Sequence, residues 1–132
     1  MTREVINPDG LIDSTETGYS QAIVEDGTFY MSGQVGWDEN FNVVGEDMES
    51  QARKAFENIG VLLDEVDKDF EDIAKVTAHL VNPHDNLDEY LRVWNEFFDD
   101  EPYPCHTILG VHQLALEDFL IEIEVEVPLE GD

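Results

Sequence analysis

Cys105, His106 and Glu122 carry most of the reactive chemistry this chain offers. They fall within Pro102 to Val127, PYPCHTILGVHQLALEDFLIEIEVEV, which reads as two strands joined by a turn. A glutamate held in a pocket can act as general acid or base, because burial raises its pKa. Glu122, Glu124 and Glu126 share one face of the strand Phe119 to Val127, and Ile121, Ile123, Val125 and Val127 share the other. On composition alone a solvated face explains these carboxylates. Cys105 offers a nucleophile, with His106 as its base. Adjacent strand residues point to opposite faces, however, so the two make a poor dyad, and a small buried or rim cysteine is the simpler reading. The four histidines are His79, His84, His106 and His112. His106 and His112 share strand parity, which makes a metal site with Cys105 conceivable. Cys105 has the opposite parity and no other ligand spacing supports it, so no metal is expected. Tyr19, Ser32 and Gly33 lie on neighbouring strand candidates and would suit a small polar ligand, or equally ordinary hairpin packing. The chain contains no phosphate-binding glycine loop, CxxC, HExxH or GxSxG.

These residues need elements to position them. Pro8, Gly10 and Gly18 in the first 18 residues suggest a short strand and then a loop. Tyr19 to Glu25 and Thr28 to Gln34 read as strands joined by Asp26-Gly27, the strongest hairpin signal in the chain. Gly33 within the second run suggests a bulge, or a place where something approaches the backbone closely. Trp37 to Gly45 is a polar turn region with two exposed-looking aromatics. Met48 to Val66 is a helix, because Ala52, Ala55, Phe56, Ile59, Leu62, Leu63 and Val66 form an apolar stripe. Asp47 is its N-cap, with Glu46 and Glu49 near the positive end of the helix dipole. Ile73 to Val81 is a strand. Leu87 to Phe98 is a second helix, capped by Asp85 or Asn86 and closed off by Pro102 and Pro104. A strand from about His106 to His112 follows the prolines. The fold class is α+β: a single domain over residues 1–132, with one mixed six-stranded sheet and two helices on one face. The other sheet face meets water or another subunit.

The 132 residues include 6 Lys+Arg and 32 Asp+Glu, a formal net charge of −26. A hydrophobic fraction of 42% and clear periodicities argue for a folded protein with a carboxylate-covered surface rather than for disorder. Self-repulsion of this kind is relieved by salt, which predicts a cytoplasmic protein of a salt-loving organism. The charge also excludes nucleic acid and anionic membranes as partners. A lone cysteine forbids an internal disulfide and suits a reducing cytosol. The N-terminal MTREVINPDG lacks the apolar run of a signal peptide, and no segment is long enough to span a bilayer.

Five runs, in this order and spacing, resemble the Rid family, the YjgF-like or L-PSP endoribonuclease-like proteins. They are GYSQAI (Gly18 to Ile23), SGQVG (Ser32 to Gly36), QARKAFENIGVLLDEV (Gln51 to Val66), DIAKVTAHLVN (Asp72 to Asn82) and IEIE (Ile121 to Glu124). The resemblance implies a chorismate-mutase-like fold, a homotrimer with a central barrel, and small-molecule pockets between adjacent subunits. It implies hydrolysis of reactive 2-imino or enamine acids to 2-oxo acids and ammonia, without a cofactor. By the same likeness Glu122 places or activates the attacking water, and Tyr19, Ser32 and Gly33 line the pocket. Active members of the family carry an arginine in a P-A-R-S/T motif that grips the substrate carboxylate. Here the aligned run is Pro104, Cys105, His106, Thr107, so His106 stands at the arginine position. Ile108 stands where the family has cysteine or threonine, and Leu91 where it has asparagine. Imidazole cannot form the bidentate fork, so the pocket is expected to be less cationic and more apolar. Two functions follow: an imine or enamine deaminase with altered specificity, or a trimer that binds a small metabolite without turnover. The endoribonuclease attribution ranks last, because the net charge repels RNA.

Overall fold

Asp26 and Gly27 both take positive φ, 53° and 76°, the two left-handed positions of a tight hairpin turn. In the computed structural model, which describes residues 3–129, they join β2 (Ala22–Glu25) to β3 (Thr28–Met31). Before them runs β1 (Arg3–Ile6), antiparallel to β2. After them come β4 (Gln34–Val35), helix α1 (Met48–Asp64), β5 (Lys75–Val81), helix α2 (Pro83–Phe97), β6 (Cys105–Val111) and β7 (Ile121–Pro128). The sheet order is β1-β2-β3-β7-β5-β6, with β4 also on β7. Only β5 and β6 run parallel, joined by α2 as the crossover.

The α+β layout with two helices stands, and the sheet has seven strands rather than six. The run Thr28 to Gln34 divides at Ser32-Gly33. Phe29 pairs with Val127 and Gln34 with Ile123, so five steps on one side span four on the other, a one-residue bulge.

Asp47 caps α1 as expected, accepting from the Ser50 N–H at 2.9 Å. The helix stops at Asp64, two residues short of Val66. Asp67 turns left-handed (φ 57°), and the Lys68 N–H reaches back to the Leu63 carbonyl at 3.0 Å. Helix α2 begins at Pro83, four residues before Leu87. Proline is preorganised for a first helical position, and the polar first turn Pro83-His84-Asp85-Asn86 carries no apolar stripe to announce it. The N-cap is Asn82, not Asp85 or Asn86; the Asn86 amide instead donates to the Val81 carbonyl at 2.8 Å.

Both helices cover one sheet face. Val76, Ala78 and Leu80 of β5 and Ile121, Ile123, Val125 and Val127 of β7 are buried beneath them. Phe56 lies at the centre, with the rings of Phe70, Tyr90, Trp94, Phe97 and Phe98 at 5.1–6.4 Å. Of the two exposed-looking aromatics, Phe41 is exposed, while Trp37 is partly covered and meets buried Phe119 edge-on at 5.1 Å. The opposite sheet face stays open, with a groove lined by Tyr30, Thr77, Glu124 and Glu126. No helix of the described residues is long and apolar enough to cross a membrane.

Candidate functional site

Glu122 lies on β7 between two partners, Val35 of β4 and His79 of β5. Its neighbours Ile121 and Ile123 face the core, so strand alternation turns Glu122 onto the open face. A β-carbon built on Gly33 would lie 2.8 Å from the Glu122 carboxyl carbon. The glycine thus leaves room for the carboxylate, which sits half-buried over the bulge. Burial pushes the Glu122 carboxyl above the usual range; His79 pulls it back and Glu124 pushes it further up.

Tyr19 follows a 3-10 turn (Ser14–Thr17) that Gly18 ends at φ 87°. The Ser14 hydroxyl donates to the Tyr19 carbonyl at 2.7 Å and fixes the backbone there. The phenol pKa is raised by burial and then by the charge of Glu122, which puts the two side chains in one electrostatic neighbourhood. Ser32 donates its hydroxyl to the Ser20 carbonyl at 2.7 Å, and its N–H to the Gln21 carbonyl at 2.9 Å. Tyr19, Ser32, Gly33 and Glu122 therefore form one group.

His106 belongs elsewhere. Its register partner is Val76, so it faces the helix side of the sheet, as do Ile108, opposite Ala78, and half-buried Leu91 of α2. The imidazole stacks on the Trp94 ring at 3.6 Å and 4°, and its Nε2 shares a 2.7 Å hydrogen bond with the Tyr90 hydroxyl. Burial lowers the His106 pKa and raises that of Tyr90, so a neutral ring and a protonated phenol share this bond. Cys105 is exposed on the other face from His106, on the edge strand β6. His112 lies beyond β6, and no three His, Cys, Asp or Glu side chains among the described residues could hold a metal.

One chain therefore does not bring the predicted residues together. Strands β6 and β7 are consecutive in sequence but do not pair, because β5 lies between them. His106 and Glu122 are two strand spacings apart across the sheet and three residues apart along it, roughly 14 Å between backbones, and point to opposite faces. The basic residue that strand pairing sets beside Glu122 is His79, which the sequence did not single out. Its parity with Lys75 and Thr77, opposite to Val76, Ala78 and Leu80, marked it as facing away from the core. Only the register marks it as the partner of Glu122. The arginines are engaged at the surface: Arg3 with Glu25, Arg53 with Glu49 and Glu96, and Arg92 near Glu49.

A model of the family described as Endoribonuclease L-PSP matches residues 12–128. Over 113 residues the chain is 35% identical to the RutC family protein YjgH of Escherichia coli K12, covering 86% of each. It is 31% identical over 113 residues to a Dermatophagoides farinae protein named 2-iminobutanoate/2-iminopropanoate deaminase, covering 85% of this chain and 86% of that one. The solved structure of protein YjgH superposes with a TM-score of 0.88 at 33% identity, covering 98% of both chains. RidA from an Antarctic Psychrobacter superposes with a TM-score of 0.84 at 28% identity, over 95% of this chain and 98% of that one. The chain belongs to the Rid family, the YjgF-like or L-PSP proteins.

Proposed function

We propose that this chain assembles as a homotrimer and hydrolyses reactive imine or enamine intermediates, 2-imino acids or related compounds, to a carbonyl product and ammonia. Glu122 activates the water, and no cofactor is needed. The observation that carries the reading is a half-buried carboxylate of raised pKa, pressed over Gly33 beside the Tyr19 phenol. Such a group is a competent general base near neutral pH. The group of Tyr19, Ser32, Gly33 and Glu122 and the group of Leu91, His106 and Ile108 lie toward opposite faces of one sheet. A pocket that uses both takes one from each of two subunits. The open sheet face is the surface that a barrel of three sheets would cover. The printed name of the Dermatophagoides farinae relative supports the reaction class.

Neutral His106, already stacked and hydrogen-bonded, offers no bidentate grip to a carboxylate. This favours a shifted substrate range, and it is also the observation behind the second reading, a trimer that binds a small metabolite without turnover. In either case the partner is a small molecule, not nucleic acid or membrane. The charge balance suits the cytoplasm of a salt-loving organism.

The test is ammonia release from 2-iminobutanoate, generated in place by a threonine dehydratase, in molar KCl. Wild type is compared with Glu122→Gln and His106→Arg. Acceleration by wild type that Glu122→Gln abolishes supports the enzyme. Acceleration by His106→Arg alone locates the change in substrate choice. None in any of the three favours the binding trimer. Sedimentation should give three times the 15.0 kDa chain mass; a monomer would overturn the shared pocket.

A further inference from the structure

We propose that His79 is the second proton-transfer group of the Glu122 site, supplying the proton that the substrate nitrogen takes up as water adds. This rests on the hydrolytic reading above. Hydrolysis of an imine needs a base for the incoming water and an acid for the nitrogen. Glu122 can be the base. The strand register supplies a candidate acid directly across from it.

His79 and Glu122 are opposed residues of antiparallel β5 and β7, so their side chains leave the same face. His79 Nδ1 lies 3.3 Å from the Glu122 backbone carbonyl. A carbonyl only accepts, so Nδ1 carries hydrogen and Nε2 is the exchangeable position. Nε2 faces the Glu124 carboxylate at 3.8 Å, a partner for the ring when it holds its second proton. The His79 side chain is 24% exposed in the single chain, on the face that carries Glu122 and that the shared pocket of the proposed trimer would use. The groups around it are few. Strand β7 presents Glu122 and Glu124, and β6 presents Leu109 with Thr107 alongside. Lys75 stands four residues back on β5, opposite Glu126, and the Tyr19 phenol lies on the Glu122 side.

The step balances. The water oxygen bonds to the imine carbon as Glu122 takes one of its protons. The C=N π pair moves to nitrogen, which takes the proton from His79 Nε2. The resulting amine then takes the proton held on Glu122. The C–N bond breaks with its electron pair on nitrogen, ammonia leaves, and the hydroxyl proton returns to His79 as the carbonyl forms. One imine and one water give one carbonyl compound and one ammonia, with both side chains restored.

The test is the pH profile of kcat/KM for imine hydrolysis in molar KCl, from about pH 5 to about pH 9, in wild type, His79→Gln and Glu124→Gln. His79→Gln should lose about 100-fold and its alkaline limb, with partial rescue by added imidazole. Glu124→Gln should weaken the alkaline limb while keeping the fold. Because His79 pulls the Glu122 carboxyl down, a carboxyl NMR titration should show the Glu122 pKa rising in His79→Gln. A His79→Gln profile within about twofold of wild type, with both limbs intact, overturns the proposal. The titration also separates it from the reading it rests on. If wild type hydrolyses no imine yet Glu122 shifts, the hydrolytic reading falls and takes proton delivery with it, while the coupled pair remains. If Glu122 does not shift, the pair itself is overturned, whatever the activity.

Discussion

Glu122 is held in a form that costs the fold something. Its pKa is raised, so the carboxylate is less favourable in the folded chain than in the unfolded one. Its contribution to stability is therefore present below the ordinary carboxylate range and is lost as pH rises through the folded pKa. Glu122→Gln should accordingly raise the melting temperature at pH 7 and change it little in acid, while hydrolysis falls by about 100-fold or more. Thermal unfolding at the two pH values and ammonia release check both halves; a lower melting temperature at pH 7 would contradict the burial argument. His106 has the opposite sign of shift, a lowered pKa from burial against Trp94. Its contribution is present above the ordinary imidazole range and is lost as pH falls through the folded pKa. In His106→Gln the loss of stability between neutral and mildly acidic pH should shrink, as urea unfolding across that window would show.

At the scale of elements, two glycines separate scaffold from site. A β-carbon on Gly36 would lie 2.7 Å from Gln51 Cα, in the backbone of α1. That helix cannot yield locally, because the Gln51 amide donates to the carbonyls of Gly45 and Asp118 while its oxygen accepts from the Leu120 N–H. Gly36→Ala should therefore cost about 1–3 kcal/mol. At Gly33 the obstacle is the end of the flexible Glu122 side chain. Gly33→Ala should leave stability nearly unchanged and abolish hydrolysis by displacing the carboxylate. Chemical denaturation together with ammonia release distinguishes the two. Equal destabilisation of both variants would mean that the bulge is held as rigidly as the helix contact.

For the whole molecule the governing quantity is the net charge of −26. At molar salt the screening length falls to about 3 Å, less than most spacings between surface carboxylates. The melting temperature should climb steadily from low to molar KCl. A flat profile would mean that the carboxylates are already balanced in the fold and would remove the argument for a saline cytoplasm. Charge of this density also makes assembly salt-dependent, so the oligomer belongs in the same titration.

Local features were legible in the sequence because their causes are local. The alternation of IEIEVEV placed Glu122 on the face opposite the core, the 3.6-residue stripe marked α1 with its Asp47 cap, and Asp26-Gly27 marked the hairpin turn. The early start of α2 was hidden because a polar first turn carries no hydrophobic period. What only the tertiary structure decided was which strands lie side by side. Parity says which way a side chain points, whereas pairing depends on which distant strands bury their apolar faces together. Placing β5 between β6 and β7 moved His106 beneath α2, far from Glu122, and set His79 across from Glu122 instead.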